Sequence, residues 1–157
     1  MRKLPPLVVT LCCAVGLGLA QKPASVDPWA GSWKLDASKS KIHGPAPQEF
    51  LKIEAAGNIA VKYTITGTAA DGGQYNEVYD GKSDGKPYPL MVNGQEAGKI
   101  SYHRLSEHRS RGLAAMADGT TIDESIILSV DGKTITARFH NKGKQGEYDE
   151  TRVFNKQ

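Results

Sequence analysis

The dipeptide Asp-Gly occurs five times in this chain, at Asp71-Gly72, Asp80-Gly81, Asp84-Gly85, Asp118-Gly119 and Asp131-Gly132. Glycine reaches positive φ without a steric penalty, and Asp-Gly is a strong signal for a tight hairpin turn. Most of these pairs separate short runs in which apolar and polar residues alternate. Ile59, Val61, Tyr63 and Ile65 alternate with Lys62, Thr64 and Thr66, and Leu51, Ile53 and Ala55 with Lys52 and Glu54. Alternation of period two marks half-buried strands, and no stretch carries a good helical period. Strands joined by tight turns are antiparallel neighbours in chain order. A meander of them that closes on itself removes its own edges. The expectation is an all-β, up-and-down antiparallel barrel of eight to ten strands.

The same reading places strands at Gly31 to Asp36, Leu51 to Ala55, Ile59 to Ile65, Tyr75 to Asp80, Ile100 to Leu105, His108 to Met116, Thr121 to Val130, Thr134 to Asn141 and Glu147 to Phe154. Ala37 to Gln48 carries Gly44, Pro45 and Pro47 and reads as a loop. Gly81 to Gly98, with Pro87 and Pro89, reads as a long connection with one short extended piece at Tyr88 to Val92. The hairpin at 100–116 is expected to turn at Ser106-Glu107. That would set Arg104 opposite Arg109, an arrangement that costs stability unless an anion or Glu107 relieves it. The bland reading of this basic hairpin is a solvated tip, and it is preferred. Which face points inward stays open: Ile100, Tyr102 and Leu113, or Leu105, Ala114 and Met116.

The first residues read as an address. Arg2 and Lys3 precede an apolar run from Leu7 to Leu19 that is short for a bilayer span, and Gly18-Leu19-Ala20 ends it with small residues. Cleavage is expected after Ala20, giving a secreted or periplasmic protein with a flexible lead-in at 21–28, a single barrel domain at 29–157 and no integral membrane segment in the mature chain. Both cysteines, Cys12 and Cys13, fall inside the leader, so the mature chain has no disulfide or thiolate site. The chain holds 20 Lys and Arg against 17 Asp and Glu, and the leader contains two of the bases and no acid. That near balance gives no motive for nucleic-acid binding.

Several side chains carry possible chemistry. Arg152 shares a strand face with Tyr148, Glu150 and Phe154. It is either an anion anchor in a cavity or an arginine stacked on an indole with Glu150 as partner, and the second is preferred. Tyr63 and Tyr102 are further candidate ligand contacts. Glu124 is placed inward among Ile122, Ile126 and Leu128, where burial alone would raise its pKa; pairing with an arginine of a neighbouring strand is the preferred reading. The four histidines show no metal-ligand spacing, and the chain has no Gly-x-Ser-x-Gly elbow, phosphate loop or cysteine nucleophile outside the leader. No catalytic residue, metal or cofactor is expected, and the reading is of a non-enzyme.

The two ends resemble a known group. Trp29-Ala30-Gly31-Ser32-Trp33-Lys34-Leu35 followed by Ser38 is similar to the first strand of the calycins, which include the lipocalins and the intracellular fatty-acid-binding proteins. Thr151-Arg152-Val153-Phe154-Asn155-Lys156 resembles the last strand of the fatty-acid-binding branch. The middle, with its Asp-Gly-Lys turns and Lys86-Pro87-Tyr88-Pro89, resembles secreted lipocalin-like proteins of environmental bacteria. The resemblance implies a barrel closed by Gly31, Trp33 and Arg152, with the arginine stacked over the Trp33 indole. It also implies an interior that carries a small, partly hydrophobic molecule, in a protein expected to be monomeric. Tyr63, Tyr102, Tyr148, Glu150 and Arg152 are the expected ligand contacts. Phe154 lacks the hydroxyl of the family's Arg-x-Tyr carboxylate clamp, and Ala37 to Gln48 is too short and proline-rich for its two-helix lid. The alternative is a packed, ligand-free module that meets an anionic partner through its basic hairpin.

Overall fold

The structure is a computed structural model that describes residues 27–56, 59–144 and 146–157. The expected leader and cysteines lie outside the described residues. Ten strands follow one another: β1 (Gly31–Leu35), β2 (Gln48–Ala56), β3 (Ala60–Thr68), β4 (Gln74–Lys82), β5 (Asp84–Val92), β6 (Gln95–Ser106), β7 (Arg109–Met116), β8 (Thr121–Leu128), β9 (Thr134–Gly143) and β10 (Gly146–Lys156). Each pairs antiparallel with its neighbours in sequence, and β1 pairs with β10, so the sheet is a closed ten-stranded barrel. Three of the five Asp-Gly glycines take positive φ in turns, at Gly72, Gly119 and Gly132, and Gly85 takes it inside β5, at the irregularity between Asp84 and Pro87. Gly81 does not turn the chain. It lies in β4, where a Cβ would stand 2.5 Å from the Tyr79 hydroxyl and 2.7 Å from the Tyr88 ring.

The stretch expected as a long connection is a full strand. β5 runs to Val92, and a two-residue turn, Asn93-Gly94 with φ of 51° and 79°, returns it into β6. Both residues at positive φ is the geometry that Asn-Gly favours. The prolines hid this strand, and the ladder explains how it tolerates them. Asn93 N–H donates to the Asn76 carbonyl at 2.8 Å. Hydrogen-bonded pairs alternate along an antiparallel ladder, so Pro89 falls where an N–H to β4 is required. Pairing between β4 and β5 stops one residue earlier, at Tyr79 opposite Leu90, while β5 stays paired with β6 through Pro89 and Pro87.

The β6–β7 hairpin turns at Glu107-His108, one residue later than expected. Ile100 therefore faces Ala114, and Tyr102 faces Gly112. A one-residue slip moves a strand's residues to the other face. The inward set is Ile100 and Tyr102 with Ala114 and Met116, while Leu105 and Leu113 are exposed. An irregularity near the turn sets Arg104 opposite Ser110 and Arg109 opposite Ser106, so the two arginines do not oppose one another.

The buried apolar side chains form two clusters. One gathers Trp29, Trp33, Leu35, Leu128, Ile135 and Phe154. The other gathers Tyr79, Leu90, Ile100, Tyr102 and Ala114. Trp33 is fully buried at one end, but the cation above its ring is Lys156, with Nζ 4.9 Å from the centroid, and not Arg152. The register supplies the reason. Trp33 pairs with Lys156 and Leu35 with Phe154, so Arg152 lies beyond the end of β1. Gly31 makes room for this lid, since a Cβ there would meet the Lys156 Cε at 3.0 Å. The same end carries a second plug. Trp29 Nε1–H donates to the Glu107 carbonyl at 2.6 Å, and the Arg104 guanidinium lies 5.3 Å from the Trp29 ring while holding Asp27 through both nitrogens at 3.1 Å.

Candidate functional site

Ten strands enclose a wider interior than eight, and the inward side chains do not fill it. A cavity of about 240 Å³ remains, lined mainly by apolar and aromatic groups, among them Val61, Ile65, Met116, Ile122 and Phe139. Of the expected ligand contacts, Tyr63, Tyr102, Glu150 and Arg152 line it. Tyr148 does not. It stacks against His43 at 4.3 Å between ring centroids, because the segment after β1 continues along β10. Lys41 bridges Thr151 there, Ser40 Oγ accepts from Val153 N–H at 2.9 Å, and His43 N–H donates to Glu150 Oε1 at 3.0 Å.

Polar groups inside the barrel form two clusters. In the first, Arg152 Nη1 donates to Glu49 Oε1 at 2.7 Å, and Nη2 donates to Glu150 Oε2 at 3.1 Å. The guanidinium lies 5.5 Å from the Phe139 centroid, so the ring it covers is Phe139 and not Trp33. The Tyr75 hydroxyl also donates to Glu49 Oε1. Burial, and then that carboxylate, push the Tyr75 phenol well above its ordinary pKa.

The second cluster is a chain of four oxygen-bearing groups from four strands. Tyr63 OH donates to Glu77 Oε1 at 3.0 Å, and Tyr102 OH donates to Glu124 Oε2 at 3.0 Å. The two hydroxyls lie 3.4 Å apart. The aromatic body of this cluster is packed, with Tyr79 5.5 Å from Tyr63 and 5.0 Å from Tyr102. Gly112 makes the approach possible, since a Cβ there would stand 2.7 Å from the Tyr102 ring and 2.9 Å from Glu124 Oε2. Glu124 is 7% exposed. Its pKa is pushed up to about 7, first by burial and then by repulsion from Glu77, against the hydrogen bond from Tyr102 that holds it down. Burial likewise raises Glu77, against the bond from Tyr63. The inward position of Glu124 matches the sequence expectation, but the preferred pairing with an arginine does not hold: its partner is Tyr102, and burial raises its pKa.

Sequence reasoning missed Glu77, Glu49 and Asn141. Alternation could have found the first, because Tyr75, Glu77 and Tyr79 share one face of β4. Asn141 is 6% exposed and lines the cavity with its amide nitrogen unpartnered among the described residues.

No protein-family model and no curated protein matches the chain. Among solved structures it is similar to a de novo designed fluorescence-activating β-barrel, at 13% identity and a TM-score of 0.46, over 84% of this chain and 99% of that one. It is also similar to EF1p2_mFAP2b bound to DFHBI, at 10% identity and a TM-score of 0.50, over 83% of this chain and 94% of that one. Among the described residues no helix is long and apolar enough to cross a membrane. At such identities the likeness concerns architecture alone: this chain is a closed, all-antiparallel β-barrel.

Proposed function

We propose that this protein binds and carries a small, partly apolar molecule inside its barrel, in the manner of the lipocalins that its ends resemble. The observation that carries the reading is the cavity of about 240 Å³, apolar along most of its wall and supplied with a few convergent polar groups. A dry cavity of about 150 Å³ accommodates benzene, so this one suits a one-ring compound with a short tail. EF1p2_mFAP2b bound to DFHBI shares the architecture, which supports the reading without specifying the ligand. We further propose that the protein acts outside the cytoplasm, on the strength of the leader-like residues 1–20, and as a binder and not a catalyst, on the strength of its mainly apolar cavity.

The competing reading, a ligand-free module with a basic hairpin for an anionic partner, loses most of its motive. Arg104 is engaged by Asp27, and Arg111 by Asp123 at 2.5 Å.

The test is fluorescence titration with neutral 1-naphthol, using Ala114→Phe and Ala137→Phe to fill the cavity from two inward positions, with circular dichroism to confirm that each variant folds. One equivalent should bind the wild type, and both variants should bind far more weakly. Equal binding by all three proteins, or none by the wild type, would overturn the carrier reading. Native mass spectrometry of protein purified from its own host, with organic extraction, would then identify the natural cargo.

A further inference from the structure

The interior is short of positive charge. Arg104 is matched by Asp27, and Arg152 is shared between Glu49 and Glu150. Glu77 and Glu124 remain, facing one cavity, with tyrosine hydroxyls as their hydrogen-bond partners and no cation in contact among the described residues. An ionised carboxylate removed from water is costly unless a positive charge accompanies it. Across the barrel wall Glu124 faces Gly112 of β7 and Phe139 of β9, neither of which titrates. The charged groups that act on it are Glu77, Arg152 and Asp123, the last of which is held by Arg111. Glu77 also feels Arg152 and Glu49.

The oxygen chain shows how the protein meets this shortage when empty. Glu77, Tyr63, Tyr102 and Glu124 are joined by three O···O contacts. Two phenol hydrogens fill two of them. One further proton, on a carboxyl, lets every contact hold a hydrogen: Glu124 donates to Tyr102, Tyr102 to Tyr63, and Tyr63 to Glu77. Burial disfavours the charged form of both acids, and the chain between them has room for one such proton.

We propose that the cavity takes a small organic monocation, a protonated amine on a one-ring apolar body, which replaces that proton between Glu77 and Glu124. This rests on reading the cavity as a ligand site. The binding step balances: one ammonium cation enters, one proton leaves for solvent, and the interior charge is unchanged. The rings of Tyr63, Tyr79 and Tyr102 beside the acids favour an organic cation. Among the described residues no three His, Cys, Asp or Glu side chains converge into a cage for a metal ion. A second, independent pointer to a ligand is Asn141, buried and inward, with its amide nitrogen unpartnered among the described residues. Asn141 pairs with Ile122, one inward step along β8 from Glu124, so it can donate to an oxygen at the far end of the same guest.

The test is isothermal titration calorimetry of the wild type with three probes of one shape: 2-phenylethylamine, neutral 2-phenylethanol and phenylacetate. The amine should bind about tenfold or more tightly than the alcohol, with phenylacetate weakest. In buffers of different ionisation enthalpy, the amine should release about one proton at pH 6 and little above pH 8. Glu124→Gln and Glu77→Gln should each weaken the amine about tenfold and the alcohol much less, so that the preference for the amine collapses. Amine and alcohol of equal affinity, phenylacetate the tightest, or amine binding without proton release would each overturn the proposal. If none of the three binds while 1-naphthol still enters the wild type and is excluded by Ala137→Phe, the amine proposal fails and the carrier reading stands. If 1-naphthol fails as well, both fall.

Discussion

Replacing Glu124 by Gln should make the protein more stable at neutral and alkaline pH, and the gain should vanish in acid. The carboxyl sits at about 4.5 in its ordinary setting and at about 7 in the fold. A raised carboxyl pKa means that the folded chain keeps a proton that the unfolded chain has already released. Stability therefore falls as pH rises from about 4.5 to about 7, and above that window the loss is complete. The gap corresponds to about 3 kcal/mol. Glutamine has the shape of the protonated acid and can donate to Tyr102 at any pH, so it should not suffer this loss. Urea denaturation followed by tryptophan emission would measure it. With a urea dependence of roughly 1 to 3 kcal/mol per molar, the two midpoints should lie roughly 1 to 3 M apart at pH 8 and converge near pH 4. The difference between the proteins reports Glu124 together with its coupling to Glu77, because the remaining titrating groups are common to both. A constant offset from pH 4 to pH 8, or a wild type more stable than the variant at pH 8, would refute the reasoning.

Arg152→Ala should cost about 3 to 5 kcal/mol in a urea titration, because it strands Glu49, whose side chain is 1% exposed, without its cation. In a Trp29→Phe background it should leave Trp33 emission unchanged, since Arg152 covers Phe139; a shift would place it back over the indole. Lys156→Ala in the same background should shift Trp33 emission and cost about 0.5 to 1 kcal/mol. Arg104→Ala should lower stability by about 1 to 3 kcal/mol and increase acrylamide quenching, as the Asp27–Arg104–Trp29 plug loosens while Trp33 stays buried. Unchanged quenching would mean that the plug does not depend on the arginine.

The architecture was legible because it is local. Alternation at Leu51 to Ala55 and Ile59 to Ile65, with Asp-Gly turns between runs, specifies antiparallel neighbours, and closure follows from the absence of a long crossover. What was not legible depends on register. Whether Ala114 or Leu113 points inward turns on the placement of one hairpin residue, and the sequence around Ser106, Glu107 and His108 offers no strong turn signal. The lid over Trp33 failed for the same reason, since Arg152 and Lys156 share a face and only the β1–β10 pairing decides which one reaches the indole. Pro87 and Pro89 argued against a strand that exists because its partner β4 stops pairing before the ring nitrogens matter. Glu124 could be read from its neighbours on β8. Its link to Glu77 through two tyrosines joins four strands that no short-range pattern connects.

The closure seam governs the order in which the chain can become itself. Nine of the ten strand pairings join consecutive strands and need no distant partner. The tenth, β1 to β10, joins Trp33 to Lys156, the first strand made to the last. A chain emerging from a ribosome or a translocation channel can assemble its hairpins in turn. Trp33 cannot be covered until the final residues arrive, and until then β1 and β9 present unpaired edges to other chains. Gln157 N–H, donating to the Ser32 carbonyl at 2.9 Å, is the last stitch. A chain cut short before Thr151 would therefore keep its early hairpins and remain an open, sticky sheet.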